Sequence, residues 1–160
     1  MTGGFTHVDE SGAARMVDVS GKSVTARTAT ATGRVLVSAE VVRLLRAGDV
    51  PKGDAIAVAR IAGIQAAKRT PDLVPLCHPI AVHGVAVDLR VDEDAVTISA
   101  TVRTADRTGV EMEALTCVSV AALALIDMVK AVDPAATITD VRVEEKTGGA
   151  SGDWKRTAGA

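Results

Sequence analysis

Between residues 85 and 102 apolar and polar side chains trade places at nearly every step. Val85, Val87, Leu89 and Val91 alternate with Ala86, Asp88 and Arg90, and beyond the acidic turn Asp92-Glu93-Asp94 the series Val96, Ile98, Ala100 and Val102 repeats the pattern. A period of two lines one face with apolar groups, so this stretch is expected to form an antiparallel hairpin. Thr and Val density with partial alternation predicts a half-buried strand over 23–37, and Ile138, Val141 and Val143 predict a last strand. The period becomes helical at Ser38, an N-cap candidate, followed by the stripe Val41, Val42, Leu44 and Leu45 and by Gly48, placed to close the helix. After a loop with Pro51, Lys52 and Gly53, Asp54 is expected to cap a second helix running to about 69. Its Ile56, Ala59, Ala62, Gly63 and Ala66 form a face of small residues suited to close packing. Thr70-Pro71 stops it, and the three prolines of 71–79, around Leu76-Cys77-His78, predict an irregular, restrained connection. The nearly unbroken apolar run over 113–132, including Ala121, Ala122, Leu123, Leu125, Ile126, Met128 and Val129, predicts a long buried helix ended by Pro134.

With the first helix set aside, the order is strand, helix, strand, strand, helix, strand. That is the α+β, ferredoxin-like β-α-β-β-α-β unit, an antiparallel sheet with helices on one face, here with an extra N-terminal arm and helix. One domain is expected over 1–160, with an arm at 1–22 that lacks a sustained period and orders by docking, and a mobile Gly-rich tail at 147–160. A helix apolar nearly all round exceeds what one sheet can cover, which points to a subunit interface.

Composition narrows the function. A chain of 160 residues, 48% hydrophobic and with formal net charge -2, suits a single domain with a core large enough to need neither disulfide nor structural metal. Cys77 and Cys117 are then free to act as small apolar residues. The only aromatics are Phe5 and Trp154, near the ends, so single-stranded nucleic acid would find no stacking platform, and a sequence pI near 5.9 offers no basic field for duplex phosphates. No nucleic-acid partner is expected, and an RNA-binding module of similar topology would need aromatics on its central strands. No run of about 18 apolar residues and no signal-peptide pattern occurs, so no membrane association is expected and the chain is read as cytoplasmic.

Several polar residues could carry chemistry. Asp127 and Lys130 are three apart and share a helix face amid apolar neighbours; a surface ion pair is the plain reading, and a partly buried acid/base pair with a lowered amine pKa the sharper one. Lysines are half as common as arginines, yet Lys52, Lys68, Lys130 and Lys146 fall at a Pro-Lys-Gly loop, a helix end, the long helix and the last strand before Gly148-Gly149. Ammonium groups beside glycine can hold phosphates, although the motif is weak alone. Cys77-His78 invites a metal reading, but there is no CxxC and His7 and His83 stand apart. Cys77 is expected to pack inward, His78 to hydrogen-bond or exchange protons, His83 to face outward, and no metal site is expected. Glu111-Met112-Glu113 follows Gly109 at a helix start, where carboxylates suit the dipole; they could also grip the amide and amino edge of a purine-like ring. Arg27, on the first strand, is a further substrate-binding candidate.

Together these segments resemble one family. Phe-Thr-His-Val-Asp (5–9), Met-Val-Asp-Val-Ser (16–20), Lys-Gly-Asp (52–54), Ala-Arg-Ile-Ala-Gly-Ile-Gln-Ala-Ala-Lys-Arg-Thr (59–70), Pro-Leu-Cys-His-Pro (75–79), Thr-Gly-Val-Glu-Met-Glu-Ala-Leu-Thr (108–116), Asp-Met-Val-Lys-Ala-Val (127–132) and Lys-Thr-Gly-Gly followed by Ser-Gly-Asp (146–153) are similar, in the same order, to the MoaC family. The resemblance implies a ferredoxin-like subunit assembled as a hexamer, a trimer of dimers, with sites between subunits. It implies conversion of 3′,8-cyclo-7,8-dihydro-GTP to cyclic pyranopterin monophosphate with release of diphosphate, a lyase reaction in molybdenum cofactor biosynthesis. It also implies an acid/base pair of Asp127 and Lys130, substrate contacts from Leu76, Cys77, His78, Met112 and Glu113, and roles for Lys52, Lys68 and Lys146 at the triphosphate and in proton shuttling. No cofactor is implied, with a divalent ion on the triphosphate left open. Some relatives carry a second lysine in the tail where this chain has Ala150. A non-catalytic, oligomeric nucleotide-binding module of the same fold is the competing reading; it would have no need of the Asp127 and lysine set.

Overall fold

The computed structural model describes residues 7–157, so Phe5 and Thr6 of the arm and the last three residues of the tail lie outside it. The elements run β1 (Thr25–Leu36), α1 (Ala39–Ala47), α2 (Ala55–Ala67), α3 (Thr70–Leu73), β2 (Val82–Val91), β3 (Ala95–Asp106), α4 (Glu111–Val129), β4 (Thr137–Thr147) and β5 (Trp154–Lys155). The strands form one antiparallel sheet in the order β2-β3-β1-β4-β5. Its first four strands have the ferredoxin-like order expected from the pattern. Along β1 the residues Ala29, Ala31, Gly33 and Val35 are buried, while Thr28, Thr30, Thr32 and Arg34 on the other face are half-exposed, the period-two pattern of a sheet covered on one side.

The covering layer is α2 and α4, and small residues set its closeness. A Cβ at Gly63 of α2 would stand 2.9 Å from the Cys117 carbonyl oxygen and 3.1 Å from Ala121 Cβ of α4, and one at Gly33 would stand 2.7 Å from Val118 Cγ1. Helix to helix and helix to sheet, the backbones approach where a side chain is missing. Nineteen residues long and apolar, α4 would suit a membrane span by length and composition. In this fold it is the central core helix, with Cys117, Val118, Ala121, Ala122 and Leu125 at most 1% exposed.

Capping follows the sequence reading. Ser38 accepts from Val41 N, Asp54 accepts from Ala57 N, and Gly48 closes α1 at φ 75, which glycine adopts without penalty. Four boundaries differ. The prolines of 71–79 do not exclude helix: Pro71 takes the second position of α3, in the first turn, where its missing N–H would have no partner within the helix. α4 begins at Glu111 and stops at Val129, leaving Lys130 as its C-cap. The uneven spacing Ile138, Val141, Val143 comes from a bulge opposite Gly33, with Asp140 at φ 54. Finally, the glycine-rich segment expected to be mobile turns back on the sheet: β5 pairs Trp154 with Lys146, and Arg156 donates to the Val143 and Glu144 carbonyls.

Candidate active site

The candidate residues gather at the two ends of α4. Sixteen residues separate Glu111 from Asp127, about 24 Å at the rise of an α-helix. α2 runs antiparallel beside α4, since Gly63 meets Cys117 and Ala121 while Lys52, just before α2, reaches Asp127. Lys68, at the far end of α2, is therefore exposed at the Glu111 end.

At the C-terminal end, Asp127 accepts from both neighbouring lysines. Lys130 Nζ lies 2.7 Å from Oδ1; Lys52 Nζ lies 3.2 Å from Oδ2 and 2.7 Å from the Asp127 carbonyl oxygen. Hydrogen bonds from Lys130 and then Lys52 hold the Asp127 carboxyl below its ordinary value. Within the protomer the pair is the surface ion pair of the plain reading, not the partly buried one of the sharper reading: the Asp127 and Lys130 side chains are 57% and 58% exposed. Salt bridges this open add little stability, so the fold does not require them.

At the N-terminal end a cavity of about 430 Å³ opens, a volume in the range of small-molecule sites. Leu76, Cys77 and His78 form one wall, Met112, Glu113 and Glu111 another, and Val17, Val19 and Lys22 of the arm a third. The prolines at 75 and 79 restrict the segment that presents Leu76 to His78. Glu113 is 3% exposed, and desolvation, assisted by the nearby Glu111 charge, pushes its carboxyl up to about 7. Burial, then the Glu113 charge, also raises the Cys77 thiol. A smaller cavity of about 90 Å³ adjoins at Gly109 and Glu111 and is lined by Arg27, Lys146 and Gly148. Lys146 Nζ sits 3.0 Å from Glu111 Oε1 and donates to Ser151 Oγ at 3.2 Å. Arg27 Nε donates to the Asp106 carbonyl and its guanidinium packs against Gly149 at φ 81.

The structure thus joins Leu76, Cys77, His78, Glu111, Met112 and Glu113 around one cavity, sets Arg27 and Lys146 in the adjoining one, and brings Lys52, Asp127 and Lys130 together elsewhere. His83 faces outward on β2 and accepts from Ala105 N. Among the described residues no group of three His, Cys, Asp or Glu side chains is arranged to hold a metal ion. Sequence reasoning missed two features. The arm residues lining the cavity had a signal in the Met-Val-Asp-Val-Ser string, but nothing local showed what they would touch. The burial of Glu113 had none, because a carboxylate in a first helical turn reads as solvated.

Comparison with known proteins agrees in family. The model of the MoaC family matches residues 16–149. A cyclic pyranopterin monophosphate synthase of Streptomyces avermitilis is 76% identical over 153 residues, covering 96% of this chain and 90% of the relative. One from Nocardioides sp. is 73% identical, covering 95% of each chain, and cyclic pyranopterin monophosphate synthase 2 of Mycobacterium tuberculosis is 59% identical, covering 97% of this chain and 93% of the relative. With a matching family model across most of its length, relatives of this identity, and a ferredoxin-like sheet carrying the motif residues at the two ends of one helix, the chain belongs to the MoaC family.

Proposed function

We propose that this protein is a cyclic pyranopterin monophosphate synthase, a lyase that converts 3′,8-cyclo-7,8-dihydro-GTP to cyclic pyranopterin monophosphate with release of diphosphate. The observation that carries the reading is the split of the polar residues: a cavity with purine-edge acceptors at one end of α4, and a lysine–aspartate–lysine cluster at the other. In the larger cavity Glu113 and Glu111, with the backbone of 76–78, face the amide and amino groups of the base. Arg27, Lys146 and Lys68 supply cations beside it for the phosphates. Diphosphate expulsion builds negative charge on the leaving oxygens, which clustered ammonium groups stabilise increasingly as the bond breaks. The base rearrangement needs several proton transfers, for which Lys130 with Asp127, Lys52 and His78 are the candidates.

One protomer cannot bring Lys130 to a substrate some 24 Å away, so the reading requires a second copy whose α4 runs the other way and sets its Asp127 cluster over the cavity. The outer faces of the helices suit such a contact: Ile61 of α2 and Leu123 of α4 are 57% and 58% exposed. The proposed assembly is a hexamer built as a trimer of dimers, in the cytoplasm with its nucleotide-derived substrate. A divalent ion used in the reaction would come to the site on the substrate's triphosphate, since the described residues form no ligand cluster for one.

The test is incubation of purified protein with the cyclised GTP intermediate, followed by detection of pterin and diphosphate. Both are expected from the wild type. Lys130→Ala should lose about a hundredfold or more in kcat with an unchanged thermal melt. No pterin from well-folded wild-type protein would remove the assignment.

A further inference from the structure

The arm before β1 forms a wall of the larger cavity and has no task in the scheme above. Val17 and Val19 are half-buried against it, while Asp18 and Ser20 are exposed, so an extended backbone turns every other side chain inward. Two hydrogen bonds tie this stretch to the body. Arg107 Nε donates to the Lys22 carbonyl at 2.9 Å, and His78 Nε2 lies 2.5 Å from the Val17 carbonyl oxygen. A carbonyl oxygen only accepts, so the proton of the second bond must sit on Nε2. A ring nitrogen that carries a proton and gives it to a carbonyl has no lone pair left for substrate. Nδ1 has no hydrogen-bond partner among the described residues.

We propose that the arm is the positioning element of His78: the Val17 carbonyl fixes the ring as its Nε2–H tautomer, and His78 serves the reaction through Nδ1. In that role a substrate N–H or O–H bond breaks, its electron pair stays on the substrate, and the proton forms a new N–H bond at Nδ1. Asp18 supports the charged ring that results. Its carboxyl is held below the ordinary value mainly by hydrogen bonds from Ser20, and the His78 charge adds to the effect, so an anion stands close when the imidazolium forms. The arm is then an active part of the site, although its described residues form no helix or strand and only Val17 and Val19 of residues 10–24 are even half-buried.

This inference rests on the larger cavity being the reaction site, and its test separates the two. Histidine ¹⁵N spectra of the full-length, substrate-free protein, with the His78 signal identified by its loss in His78→Gln, should show the Nε2–H tautomer. A variant lacking residues 1–18 removes the acceptor; if its melt and oligomeric state are unchanged, the signal should move to a tautomer average and kcat should fall about tenfold to a hundredfold. Glutamine places its amide nitrogen near Nε2, so His78→Gln should keep the arm's hydrogen-exchange protection and hold KM within a few-fold, yet lose about a hundredfold or more in kcat. An Nδ1–H tautomer in the free protein overturns the proposal, as does a His78→Gln enzyme with near-normal kcat. The tautomer measurement needs no turnover, so a failure of the functional reading would appear in the pterin assay alone.

Discussion

A buried carboxyl at a helix start should make this protein less stable as the solution turns from acid to neutral. Glu113 is 3% exposed, and desolvation, with the Glu111 charge adding to it, raises its carboxyl to about 7 from the ordinary 4.5. Below about pH 4.5 both folded and unfolded chains hold the proton, and the residue contributes no pH dependence. Between that pH and about 7 the unfolded chain releases its proton and the folded chain does not, so stability falls as pH rises. Above about 7 the full difference is lost, about 3 kcal/mol for a shift of this size. Glu113→Gln keeps the shape and a hydrogen-bond donor without the charge. It should therefore gain up to about 3 kcal/mol at pH 8 and less than about 1 kcal/mol at pH 5, which for a chain of this length is a Tm difference of roughly 6–12 °C at the higher pH. Paired thermal melts of wild type and variant at the two pH values make the measurement. A variant less stable than wild type at pH 8, or equally displaced at both, would refute the argument, since it would mean that Glu113 folds as a satisfied anion. A carboxyl kept where it costs stability points to use in binding, and Glu113→Gln should be impaired in turnover as it gains in melting temperature.

Two further outcomes follow from packing. Gly63→Val would force a branched side chain against the Cys117 carbonyl, which as helix backbone cannot yield, so a loss of about 1–3 kcal/mol or more in chemical denaturation is expected; a neutral effect would show that α2 and α4 are not in the close contact described. Cys117, fully buried and with burial pushing its thiol up to about 12, should resist thiol reagents in the native protein at pH 8 while half-buried Cys77 reacts slowly. Two equally fast reacting thiols would contradict the burial.

The sheet and its covering helices were legible because their information is periodic. The alternation around Leu89 and Ile98 and the small-residue face around Gly63 each encode which side is buried, and no tertiary knowledge is needed to read them. The last strand was harder, because the bulge at Asp140 shifts the inward set by one residue between Ile138 and Val141. The glycines of the tail predict mobility, yet Gly148 and Gly149 take positive φ where they lie against the backbone of Ala26 and the Arg27 guanidinium. In this setting glycine marks close approach rather than freedom. At the site, residue identities came from motif resemblance, since Lys52 and Asp127 are 75 positions apart and no local pattern links them. Burial of Glu113 and the contact between Val17 and His78 are tertiary facts, set by which loop and which arm happen to cover the start of α4.

The claim on which the function rests is that the Asp127 cluster of one protomer serves the cavity of another. Intersubunit complementation tests it directly: Lys130→Ala and His78→Ala proteins are each assayed alone, then unfolded together in equal amounts, refolded and assayed with the cyclised GTP intermediate. Each alone should be inactive. Random pairing makes half the dimers mixed, each with one intact site of two, so activity should return to about a quarter of wild type. Refolded, fully assembled mixtures that stay inactive would contradict the shared site and confine the chemistry to a single chain.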